Sequence, residues 1–503
     1  MWDAMDYTVK EKYTVALDNM NADVEIRLVD KEMRYHILVP SFEKPTLAFM
    51  NSIHERLASE VKIKRRDYTD SSSLRKVFAE KIRSWIMVDL PHIDDETRDT
   101  MAVYILNKSF GLGNIEFLLK DAHLEEITLS STGYQVMAYH RKYGWLRTNL
   151  LIESDDEIQN YAKSIAREVG KEITLSAPLL DAHLPTGDRV NAVLAPLSDK
   201  GSTITIRMFA RDPWTFPDLI KNKTLTPNLL ALLWLMVQYE MNVLISGGTG
   251  SGKTSILNVM MPFIQPNHRV LSIEDTRELQ LPEFLYWYPM KTRAANPEGE
   301  GEVTMGDLLI NSLRMRPDRI ILGEIRKGVD AEILFEAMHT GHSVYATIHA
   351  DTTHQTLRRL INPPLNIPPM MIEAVHLNIV MYRDRMRNIR RVSQVAEIIP
   401  SETVGGEVTL KPNVLFKWKP RTDEIVLASP DIRLFQEISL HTGLTAEEIK
   451  AEITKKEEVI NWFVANNVRT LGEIGRILRT YYLDPHEVED VVAKNLPSTS
   501  LLT

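Results

Sequence analysis

The 503-residue chain contains no cysteine. That removes disulfides, thiolate zinc sites and thiol nucleophiles together, and it agrees with a reducing compartment. Long hydrophobic runs are missing too. The longest, Leu229–Val237, is about half of the ~20 apolar residues that cross a bilayer. The N-terminal stretch is acidic where a signal peptide would be basic and then apolar. The protein is therefore expected to be soluble and cytoplasmic, meeting the cytoplasmic face of a membrane only peripherally or through a partner. Basic charge is not in excess either: the net charge is -9. An acidic total argues against nucleic acid as the main partner. There is no internal repeat and no low-complexity tract. What remains, 44% hydrophobic and 25% charged residues, is the composition of a folded globular protein.

The length implies about three domains. Residues 1–107 read as a small α+β region followed by helices, with strands near 24–28 and 35–40 and helices near 46–62 and 74–107. Residues 108–222 read as a second α+β region, ending at the breaks Asp212-Pro213 and Phe216-Pro217. Residues 223–430 alternate apolar strands with helices, which predicts an α/β domain with a mostly parallel sheet and ligands at the strand C-termini. Residues 431–503 read as a helical extension. Thr445/Glu448 and Thr470/Glu473 have capping-box spacing, and Asp484-Pro485 looks like an N-cap with proline at the first helical position.

Gly247-Gly248-Thr249-Gly250-Ser251-Gly252-Lys253-Thr254 fits the phosphate-loop pattern G-x-x-x-x-G-K-[ST] throughout. An apolar strand enters it and a helix leaves it, as the pattern requires. Glycines allow the backbone to aim N–H groups inward at phosphate oxygens. Residues Gly248 to Ser255 are thus candidate phosphate binders. Lys253 would reach the β- and γ-phosphates, and the Thr254 hydroxyl would bind Mg²⁺. The expected cofactors are ATP and Mg²⁺.

Other strands end in groups suited to phosphoryl chemistry. Ile320–Leu322 is followed by Gly323-Glu324, which places a carboxylate where it can serve the metal shell or orient a water. Leu271–Ile273 is followed by Glu274-Asp275, a second acidic tip. His349 follows the strand 343–347, and His342 precedes it. Five arginines crowd the stretch 383–391: Arg383, Arg385, Arg387, Arg390 and Arg391. They read as a solvated turn between edge strands, with a phosphate or subunit contact as the alternative.

Four blocks in series, Gly247–Thr254, Ile273–Leu279, Arg316–Arg326 and His339–His349, resemble the Walker A, Asp-box, Walker B and His-box segments of the type II/type IV secretion ATPases. Glu274-Asp275-Thr276-Arg277-Glu278-Leu279 and Gly323-Glu324-Ile325-Arg326 carry the likeness most closely. The chain is most similar to the archaeal branch, the general secretion pathway E proteins. Leu180–Pro185, Gly187–Asn191 and Ile204–Arg207 resemble the family's second N-terminal domain. The resemblance implies a RecA-like P-loop domain and a homo-hexameric ring. It implies arginines from the N-terminal domain at the γ-phosphate, matched by Arg189 and Arg207, with Arg211 a nearby third. It also implies a polytopic membrane partner in protein secretion or in pilus or archaellum assembly. Bacterial relatives carry a four-cysteine zinc module that this chain cannot build, so no structural zinc is expected. A nucleic-acid-translocating ring and a non-hydrolysing nucleotide-regulated scaffold are the competing readings.

Overall fold

Alternating apolar and polar residues build the first of two sheets. The computed structural model describes residues 6–17, 20–39, 42–60, 71–130, 133–209, 212–295, 299–402 and 408–502, which group into two units, 1–211 and 212–503. In the first unit the strands are β1 (Tyr7–Leu17), β2 (Met20–Val29), β3 (Glu32–Leu38), β4 (Leu124–Ser130), β5 (Gln135–His140), β6 (Gly144–Leu151), β7 (Leu179–His183), β8 (Arg189–Val193) and β9 (Thr203–Arg207). They form one sheet in the order β1-β2-β3-β6-β5-β4-β9-β8-β7. Strands from both sides of residue 107 thus share a sheet, through the parallel β3–β6 pair. β1 and β7 lie beyond the sequence reading. Both are edge strands, and β1 is exposed over much of its length, so no continuous buried face patterns it. The helix Asp155–Glu168 starts with the Ser154 hydroxyl accepting from Glu157 N–H and acids filling its first turn. Helices Lys44–Glu60, Ser71–Asp89 and Asp95–Phe110 bury Ile53, Ile82, Ile86 and Ile105 in a cluster of their own. Residues 61 and 62, and Pro40, which the sequence reading gave to a helix and a strand, lie outside the described residues.

The second unit holds β10 (Val243–Gly247), β11 (Arg269–Glu274), β12 (Tyr286–Lys291), β13 (Arg319–Leu322), β14 (Ser343–Ile348), β15 (Leu377–Asp384), β16 (Ile389–Glu402), β17 (Val408–Lys419) and β18 (Glu424–Leu427). The order is β12-β11-β13-β14-β10-β15-β16-β17-β18. The first six are parallel, and β16 to β18 add antiparallel hairpins. Every residue of β10, β13 and β14 is buried, because helices cover both faces of the sheet. This is the expected α/β architecture with a mostly parallel sheet. β14 stands between the loop-bearing strand β10 and the acid-bearing strand β13, an order that periodicity does not reveal.

The C-terminal helices Leu434–Thr442, Ala446–Ala465, Leu471–Leu483 and Pro485–Ala493 share a core with the helix Pro227–Gln238. Trp234 Nε1–H donates to the Tyr482 hydroxyl at 2.9 Å, and that hydroxyl donates to the Phe263 carbonyl at 2.5 Å. Both capping boxes are closed. The stretch after Asp212 is joined to the same core: Arg469 reaches Asp212 at 2.5 Å and Asp218 at 2.9 Å. No helix among the described residues is long and apolar enough to cross a membrane.

Candidate active site at the strand tips

The parallel strands deliver their C-termini to one edge. β10 runs into the Gly247–Thr254 loop, and the helix Lys253–Met260 leaves it. Gly250 and Gly252 take left-handed conformations, φ +69 and +97, that side chains resist. At Gly247 a Cβ would lie 2.6 Å from the Met381 carbonyl of β15, so the neighbouring strand leaves room for backbone only. Lys253 Nζ donates to the carbonyls of Gly247 and Gly248 at 3.0 and 3.1 Å. Burial lowers the lysine pKa from its ordinary value, opposed by the charges of Glu324, Glu278 and Asp351. The following helix has no acid in its first turn, so its N-terminal amides favour an anion. A desolvated ammonium, a glycine cradle and an unneutralised helix N-terminus fit a polyphosphate. Residues 248–255 are placed to hold it, with the Thr254 hydroxyl and Glu324 as candidate Mg²⁺ partners.

Glu324 is fixed between two strands. Gly323 N–H donates to Ile273 O of β11 at 2.8 Å, Thr347 Oγ1 of β14 donates to Gly323 O at 2.6 Å, and Ile325 N–H donates to Thr347 O at 2.8 Å. Its carboxylate meets His349 Nε2 at 2.7 Å. His349 Nδ1 in turn lies 3.5 Å from Lys253 Nζ. Burial and the nearby Lys253 lower the His349 pKa, against Glu324. A neutral ring then donates from Nε2 to Glu324 and accepts from Lys253 at Nδ1. Three residues read separately from the sequence are thus one connected group across β10, β14 and β13.

Arg326 was not singled out by the sequence reading. Its Nε donates to Glu324 Oε2 at 2.8 Å, and a terminal nitrogen donates to Asp275 Oδ2 at 2.6 Å. The signal was its position two residues past an acidic tip; its partner depends on β11 and β13 being neighbours.

Other candidates sit differently. The carboxyl of Glu274 accepts from the backbone of Glu278 and Leu279. His342 lies at the N-terminal end of β14, at the edge opposite His349, near Ala337 O and Thr340 Oγ1. Of the five arginines in the hairpin, three meet other parts of the chain. Arg390 Nε donates to Gly250 O at 3.0 Å, Arg383 packs against Gly250, and the buried Arg391 pairs with Asp423 at 2.7 and 2.8 Å. β15 lies beside β10, which brings this hairpin against the loop. Arg189 and Arg207 belong to the first unit. They stand opposite each other in the β8–β9 pairing, and Arg189 also binds Asp181 at 2.7 Å. Arg211 lies outside the described residues. Among the described residues no group of three or more His, Asp or Glu side chains could hold a metal ion by itself.

Residues 124–402 match the family model described as type II/IV secretion system protein. An uncharacterized protein of Methanocaldococcus jannaschii, MJ0900, is 33% identical over 401 residues, 78% of this chain and 71% of that protein. The type IV secretion system protein PtlH of Bordetella pertussis is 31% identical over 282 residues, 49% of this chain and 80% of PtlH. Among solved structures, the Legionella pneumophila ATPase DotB aligns at 20% identity and a TM-score of 0.41, covering 76% of this chain and 94% of DotB. The family match spans more than half of the chain and contains all four strand-tip blocks, and the chain belongs to the type II/IV secretion system protein family.

Proposed function

We propose that the chain hydrolyses Mg-ATP and, as a homo-hexamer at the cytoplasmic face of a membrane, drives protein secretion or pilus- or archaellum-type filament assembly through a polytopic membrane partner. One observation carries the hydrolytic part: Lys253, His349 and Glu324 are linked across three adjacent strand tips beside the phosphate loop. Lys253 exchanges its loop carbonyls for β- and γ-phosphate oxygens. The amides of Gly248 to Ser255 hold the remaining oxygens. A bound Mg²⁺, taken by the Thr254 hydroxyl and Glu324, supplies Lewis-acid polarisation. Glu324 orients a water and accepts its proton, while neutral His349 fixes the carboxylate. Glu274, a buried acid at the β11 tip, is the proposed second acid beside Glu324 in orienting the water.

Arg189 and Arg207 are the proposed source of positive charge for the transferring phosphoryl group. Family membership and relatives named for type IV secretion support the proposed membrane partner and hexamer.

The test is phosphate release by the purified full chain with ATP and Mg²⁺. Lys253→Ala is expected to lower turnover by about 10²-fold or more and to weaken nucleotide binding. A Lys253→Ala chain that kept wild-type turnover would remove the loop from the chemistry.

A further inference from the structure

We infer that Arg326 is a positioning residue for this site: it clasps Glu324 to Asp275 and so fixes where the carboxylate points. The inference rests on the hydrolytic reading above.

Glu324 and Asp275 follow neighbouring strands, with Ile273 and Leu322 in register. Two carboxylates on adjacent tips repel, more strongly where water is partly excluded. The Arg326 guanidinium lies between them. Nε and one terminal nitrogen take Glu324 Oε2 at 2.8 and 2.6 Å, and the other terminal nitrogen takes Asp275 Oδ2 at 2.6 Å. Asp275 is a fixed post, because its second oxygen accepts from Thr292 Oγ1 at 3.0 Å, and Thr292 N–H donates to Glu274 O at 3.1 Å. His349 holds the other Glu324 oxygen. A continuous chain therefore runs from Thr292 through Asp275, Arg326 and Glu324 to His349, across the tips of β12, β11, β13 and β14.

The energetics favour a role in positioning over one in stability. The Arg326 side chain is 56% exposed and that of Asp275 38%, and ion pairs at such exposure stabilise a fold little. Geometry is a different matter. A catalytic group displaced by an ångström costs turnover out of proportion to the contact that held it. The planar fork serves both carboxylates at once, which a lysine, a single point charge, does poorly.

The experiment is steady-state ATP turnover by the full chain, with nucleotide affinity measured separately using a fluorescent ATP analogue. Arg326→Gln is expected to lower kcat roughly 10- to 100-fold, with KM and analogue affinity within about twofold of wild type. Arg326→Lys should fall between the two. Asp275→Asn should lower kcat less than Arg326→Gln, and the double variant should be no slower than Arg326→Gln alone, because both act through one clasp. Circular dichroism melts of all variants should coincide with wild type. The clasp is overturned by wild-type kcat in Arg326→Gln, by an effect confined to KM, or by costs that multiply in the double variant. Glu324→Gln is run alongside. If it turns over at the wild-type rate, the hydrolytic reading and the clasp fall together. If it is inactive while Arg326→Gln is fully active, the clasp alone falls.

Discussion

The Glu274 carboxyl accepts hydrogen bonds from Glu278 N–H and Leu279 N–H at 2.9 and 3.1 Å, and its Oε2 is buried with no hydrogen-bond partner among the described residues. Burial raises its pKa from the ordinary 4.5 to about 7, against the two backbone donors. Between those values the folded chain keeps a proton that the unfolded chain has released. The stability from this group is therefore fully present below the ordinary value and lost as pH rises through about 7. Glu274→Gln has no such dependence. In urea unfolding, wild type is expected to lose ground to Glu274→Gln between pH 5 and pH 8; a gap that stays constant across that range would contradict the assignment. The residue scale also shows what a sequence can carry. Lys253, Glu324 and His349 were legible because each sits at a recognisable strand end. Arg326 and the hairpin arginines Arg383 and Arg390 were not, because their roles come from strands distant in sequence lying side by side. Glu274 was legible as an acid at a tip, but not as a buried group tied to the next turn.

Elements with a buried face or a cap were legible, and edges were not. The strands β10, β11, β13 and β14 are buried almost throughout and mostly apolar, and Thr445, Thr470 and Asp484 marked three helix starts that the structure confirms. β12 escaped because it is an edge strand with Pro289 inside it and mostly exposed residues. The helix Leu471–Leu483 gives a test at this scale. Alanine is the better helix former than glycine by about 1 kcal/mol. At Gly475, however, a Cβ would lie 2.7 Å from Pro282 Cβ and 3.4 Å from Phe284 Cδ1. The proline ring cannot swing away, and overpacking of this kind costs about 1–3 kcal/mol. The clash should win, so Gly475→Ala is expected to lower the unfolding free energy by a net of about 1 kcal/mol, read as a lower urea midpoint. A midpoint that rises would show that the helix end yields.

At the scale of the whole molecule, the sheet order joins what the linear motifs left separate. Inserting β14 between β10 and β13 sets His349 between the lysine of the loop and the acid of the next tip, and that placement underlies the proposed chemistry. The family of the chain was legible from four blocks in series. That the N-terminal strands of residues 7–38 share a sheet with those of 124–207 was not, since a parallel pairing across some 100 residues leaves no local signature. The motor reading requires turnover to belong to the assembled chain and to end at Glu324. It is tested most directly by phosphate release from ATP across the protein concentrations at which the chain assembles, with mass followed by light scattering, for wild type beside Glu324→Gln. Wild-type turnover should rise with assembly, while Glu324→Gln assembles and binds nucleotide but releases phosphate about 10²-fold more slowly or less. Equal rates for the two chains would contradict it.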